Sequence, residues 1–139
     1  MTEIERRVVA VNATRARFAG RAFAWGTVDC AKVVAWHLRK MGHRIGISKA
    51  GSYSTALSAK RALARWGVET LTEALDKAML DRIPPAAALA GDVVQLPGTD
   101  AFDALAVVAG NGAVLGFHED SDTLEVVRLD VVPLAAWRA

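Results

Sequence analysis

A single cysteine, Cys30, among 139 residues rules out an intrachain disulfide framework and any zinc site of the CxxC kind, so stability has to come from packing. Long apolar runs are missing too. Val8 to Val11 follows the charged start Glu3-Ile4-Glu5-Arg6-Arg7 and is too short for a signal-peptide core. The later window Ala104 to Phe117 is broken by Gly110-Asn111-Gly112 and falls short of a membrane span. Neither Sec-type export nor membrane insertion is expected. Internal repeats and low-complexity linkers are absent. Basic residues are not interleaved with aromatics as in nucleic-acid-binding motifs, so no nucleic-acid partner is expected. No spacing of His, Cys and acidic residues fits a known ligand set, the turn His118-Glu119-Asp120 with Asp122 included, and no metal or other cofactor is expected.

What is present is 53% hydrophobic, enough for one globular domain, residues 1–139, with a core of its own. The net charge of +2 hides an asymmetry: residues 1–70 carry 13 Lys/Arg against 4 Asp/Glu, and residues 71–139 carry 4 against 11, so the halves are +9 and −7. Within one domain this reads as complementarity across packed faces, with a basic surface for an anionic partner as the other reading.

The periodicity changes along the chain. Ile4, Val8, Val11 and Phe18 suggest a helix over 3–18 with one buried stripe. Asp29 is the expected N-cap of a second helix running from Cys30 to about Met41, stopped at Gly42. Ser54 or Thr55 can cap a third through Trp66, and Thr70 with Glu73 has the spacing of a capping box for a fourth over 70–80. After Pro85 the period becomes that of strands. Gly91-Asp92-Val93-Val94 opens one strand; Ala104 to Ala109 and Ala113 to His118 flank the hairpin turn Gly110-Asn111-Gly112; Leu124 to Leu129 adds another. Helices first and a strand meander afterwards make an α+β domain, with the helices packed on an antiparallel β-sheet. Residues 43–53 read as a loop, and the four tryptophans read as core and interface anchors.

Cys30 stands just after the turn Trp25-Gly26 and at the head of a helix, where unpaired N–H groups and the dipole favour thiolate while the adjacent Asp29 carboxylate opposes it. A small buried hydrophobe is the plain alternative for a lone cysteine. The order Trp25-Gly26, Asp29-Cys30, Gly91-Asp92-Val93-Val94 and Gly110-Asn111-Gly112 resembles the papain-like NlpC-type cell-wall endopeptidases, particularly their small relatives encoded by tailed phages and prophages. The resemblance implies a papain-like NlpC-type fold over roughly Phe18 to His118. In the family a helix-borne cysteine attacks an amide of the peptidoglycan stem peptide, a histidine on a following strand takes the thiol proton, and a polar residue on the next strand orients that histidine. Cys30 matches the nucleophile. Ala104 stands where the histidine belongs, and Gly116 where the orienting residue belongs.

Among the three histidines, His37 lies seven residues along the same helix, roughly 10 Å from Cys30 along the axis and too far for the ~3 Å contact of a base. His43 lies past the helix end. His118 shares a strand face with position 116, which makes Cys30 and His118 the candidate catalytic pair; a solvated strand-end histidine beside Glu119 and Asp120 is the competing reading. Three functions follow: a degenerate NlpC-like component of a phage tail tip, which the missing base favours; an active cysteine endopeptidase; and a non-cleaving peptide- or glycan-binding module. The partners implied are other tail proteins and peptidoglycan, and the location is the virion or, before assembly, the host cytoplasm. The apolar stretch Val131 to Trp137 is the expected docking surface.

Overall fold

The computed structural model describes residues 1–97, 104–117 and 122–139. Four α-helices precede the sheet: α1 (Glu3–Phe18), α2 (Cys30–Lys40), α3 (Ala56–Trp66) and α4 (Leu71–Lys77). Each begins at a side-chain cap. Thr2 accepts from Glu5 N, Asp29 from Lys32 N, Thr55 from Ser58 N and Thr70 from Glu73 N. A complete capping box occurs at Thr55 and Ser58. At Thr70 it is half formed, because the Glu73 carboxylate turns to the backbone N–H of Glu69 instead. The segment 43–53, expected to be a loop, contains a short 3-10 turn at Ile47–Ala50.

The phase of α1 differs from the expectation. Its buried residues are Arg7, Ala10, Val11, Thr14 and Phe18, whereas Ile4 and Val8 are exposed. Two polar side chains take the inward stripe because each finds buried partners there, which hydrophobic periodicity cannot foresee.

Six strands form one antiparallel sheet in the order β1-β6-β2-β3-β4-β5, with β1 Arg82–Ile83, β2 Val93–Leu96, β3 Ala104–Gly110, β4 Ala113–Phe117, β5 Leu124–Arg128 and β6 Ala135–Trp137. The β3–β4 hairpin turns at Asn111 (φ 55°) and Gly112 (φ 75°), the paired positive angles of a type I′ turn. The sequence reading lacks β1 and β6, which at two and three residues are too short to show a period of two. Their pairing carries Trp137 into the core: it is fully buried, and its indole N–H donates to Asp76 at 2.9 Å. Trp137 therefore leaves the expected docking surface, while Val131, Val132 and Leu134 remain exposed.

The main core lies between helices and sheet, where Val33, Val34 and Leu38 of α2 join Val93, Val107, Leu115 and Leu124. No helix among the described residues is long and apolar enough to cross a membrane. Among described residues one ion pair, Arg7 with Asp92, joins the basic and acidic halves.

Candidate functional site

The site forms where the start of α2 meets one end of the sheet. The turn before α2 is closed by Val28 N donating to Ala24 O and by both oxygens of the Asp29 carboxylate, one accepting from Gly26 N and the other from Lys32 N, each at 2.8 Å. Gly26 has φ +83°, and a Cβ there would collide with the carbonyl oxygen of Tyr53. Glycine is therefore required twice over, by the angle and by the approach of a second chain segment. That approach brings Tyr53 to the site, a residue that nothing singles out beforehand beyond its place in a Gly/Ser-rich stretch.

The Tyr53 phenol is pushed well above its ordinary range, first by burial, then by the Asp29 charge, by its hydrogen bond to Asp29, and by Cys30 close by. It stays protonated and donates to Asp29. With two backbone N–H groups and a phenol directed at it, this buried carboxylate is a scaffold for the loop rather than a base for the neighbouring thiol.

Cys30, the first residue of α2, is half-buried and opens into a cavity of about 420 Å³. Phe23, Trp25 and Phe117 form one wall, with ring centroids 4.9 Å apart for Phe23–Trp25 and 5.1 Å for Phe23–Phe117. Ile47, Leu63 and Trp66 form another, and Leu96, Pro97 and Ala104 lie at the sheet end. Among the described lining residues only Asp29, Cys30, Tyr53 and two indoles carry polar side-chain atoms, and no cationic side chain or imidazole is present.

The positions implied by the resemblance can now be located. The pairing of Leu96 with Ala104 sets Ala104 on the cavity that Cys30 lines, so a methyl group stands at the base position. Gly116 is closed by packing, since a Cβ there would come within 3.1 Å of the Ala106 Cβ. His118 lies outside the described residues, as do Glu119 and Asp120. No cluster of three or more potential metal ligands occurs among the described residues.

His37 is fully buried away from the cavity. Its Nε2 donates to Gly91 O at 2.8 Å, and its Nδ1 faces the Thr14 hydroxyl at 2.8 Å, whose one proton serves either that nitrogen or Ala10 O. Burial lowers its proton affinity and outweighs the Gly91 and Ala10 carbonyls that favour the charged form. The next residue, Asp92, has no exposure. It accepts from Leu89 N, Ala139 N and Arg7, with Arg138 3.2 Å away. Gly91-Asp92 is thus a structural joint to α1 and α2, not part of the Cys30 site.

Comparison with solved structures agrees with this architecture. The NlpC/p60 domain of the peptidoglycan hydrolase SagA aligns over 95% of this chain and 98% of its own, at 17% identity and a TM-score of 0.59. The P60 domain of the Mycobacterium avium paratuberculosis antigen MAP1272c aligns over 98% and 95%, at 18% identity and a TM-score of 0.51. RipD of Mycobacterium tuberculosis, described as a non-catalytic NlpC/p60 domain protein, aligns over 95% and 96% at 18% identity, with a TM-score of 0.48 too low to carry an inference. At these identities the likeness establishes the fold alone: an α+β papain-like fold similar to that of NlpC/p60 domains, as the resemblance of the motifs implied. No curated protein sequence matches the chain. Residues 3–139 match the family model described as a domain of unknown function (DUF6950), and the chain belongs to that family.

Proposed function

We propose that this member of the family is a non-cleaving NlpC/p60-fold module, a structural component of a phage or prophage tail tip, in which the old catalytic cleft serves as a binding cavity. One observation carries the loss of chemistry: Ala104, at the base position, lines the same apolar cavity as Cys30. Amide attack needs a thiolate and a proton for the leaving amine, and a methyl group supplies neither. Among the described residues the lining is largely apolar, which favours an apolar ligand over a charged stem peptide or a glycan. The tail assignment and the virion location rest on the resemblance of the motif order to small relatives in tailed phages, and on the exposed apolar residues Val131, Val132 and Leu134 as an assembly surface.

A second reading, an active cysteine endopeptidase, is favoured by the position of Cys30 at a helix N-terminus and open to a cavity. Cleavage of peptidoglycan fragments by the wild type, Cys30→Ala and His118→Ala separates the two. The proposal expects no turnover in any of them. Robust turnover lost in both variants would instead establish a peptidase with His118 as its base.

A further inference from the structure

We propose that a second cleft, between α1 and the hairpin end of the sheet, binds a small organic acid: a carboxylate carried on a short apolar body. The cleft has a volume of about 240 Å³ and shares no lining residue with the Cys30 cavity. It sits at the ends of β3 and β4 remote from Ala104 and Phe117, both of which line that cavity. The inference is therefore independent of whether Cys30 carries any chemistry.

Strand register builds the floor. Ala113 pairs with Arg128 and Leu115 with Val126, so these four side chains stand on one face of β4 and β5, the face that turns Leu115 and Leu124 into the core. Leu115 is buried, yet its partner Val126 is 41% exposed, because α1 does not reach over it. Val11 of α1 closes one side of the floor. On the other side two residues of β3 oppose one of β4 between Val108 and Gly110, a bulge that leaves Ala109 on the cleft wall. An apolar side chain open to a cleft on the core-facing side of a sheet is a seat for an apolar body.

The rim is cationic. Arg15 comes from the last turn of α1, and because helical side chains lean toward the N-terminus it reaches back toward Asn12. Arg128 comes from β5 and is steadied by donating to the backbone carbonyl of Asn111 at 3.3 Å. Arg6, Arg7, Arg82 and Arg138 each have a carboxylate within 3.2 Å. Arg15 and Arg128 have none among the described residues, and no acidic residue is among the described lining of the cleft. Two guanidinium groups drawn into one cleft without a counter-charge repel each other; an oxyanion between them removes that repulsion and accepts their forked N–H groups. The carboxamides of Asn12 and Asn111, which make no hydrogen bond among the described residues, supply further donors. A bare phosphate would satisfy the rim but leave Val11, Leu115 and Val126 facing water, so the floor selects an anion with an apolar body.

The test is a titration of the isotope-labelled full chain with hexanoate at neutral pH, read by backbone amide chemical shifts. Saturable shifts with a millimolar dissociation constant are expected at Asn12, Arg15, Asn111, Gly112 and Arg128. Arg15→Gln and Arg128→Gln should each weaken binding about tenfold, with the rest of the spectrum unchanged. On the wild type, hexanol supplies the body without the charge and inorganic phosphate the charge without the body, and each should bind about tenfold more weakly than hexanoate. These two arms need no variant to fold. No saturable shift, shifts centred on the Cys30 cavity, hexanol or phosphate binding as tightly as hexanoate, or full affinity retained in either arginine variant would each overturn the inference.

Discussion

The two ends of α2 handle polar side chains in opposite ways. At its start Cys30 is half-buried on an open apolar cavity. Two turns on, His37 is sealed, with both ring nitrogens engaged and the Arg7–Asp92 pair alongside. The contrast teaches that residue type alone does not locate chemistry: a histidine and an aspartate from a recognisable motif act here as joints, and space for a ligand exists where the polar groups are fewest.

The comparison breaks most easily at the sealed end. Removing Asp92 would take from the Arg7 guanidinium its one buried carboxylate, leaving the exposed Glu3, and free two backbone N–H groups, so Asp92→Ala should cost about 3–5 kcal/mol in urea denaturation. A loss under about 1 kcal/mol would show that the joint is dispensable. Gly26→Ala comes next, on the order of 3 kcal/mol, because a backbone carbonyl must move and the positive φ is strained as well. Wild-type stability in that variant would contradict the close approach of Tyr53.

The pH dependence is smaller. Burial depresses the proton affinity of His37 in the folded state, while in the unfolded chain it titrates at about 6.5. Below that pH the unfolded chain binds more protons, so stability is fully present above about 6.5 and is lost as pH falls toward the depressed folded value. Arg7 nearby adds to the depression and Asp92 opposes it. Denaturation midpoints from pH 7.5 down to 5 should fall more steeply for the wild type than for His37→Gln; parallel profiles would contradict the account. Least of all, Cys30→Ala should change stability by under about 1 kcal/mol, since the half-buried side chain touches the core only at its edge and borders a cavity. A larger loss would make Cys30 a core residue.

Much of this was legible in the sequence. Caps at Asp29, Thr55 and Thr70 fix helix starts through local hydrogen bonds, and Gly110-Asn111-Gly112 fixes a hairpin through backbone angles, so both can be read without tertiary knowledge. The inward Arg7 and Thr14, the short β1 and β6 and the burial of Trp137 depend on partners 20 or more residues away in sequence and leave no periodic trace. At the site, Cys30 and Ala104, which stand where the resemblance places the nucleophile and the base, were readable as motif positions. Tyr53 was not, because only the fold brings its carbonyl over Gly26. The charge asymmetry was visible, and among the described residues one ion pair, Arg7–Asp92, joins the two halves.

The central claim, that Cys30 faces a binding cavity without amide chemistry, is tested most directly by a single-turnover experiment. The protein is incubated in excess over a peptidoglycan stem-peptide fragment, and both are followed by mass spectrometry. The account predicts an intact peptide and an unmodified chain. An acyl adduct on Cys30, or peptide products that disappear in Cys30→Ala, would contradict it.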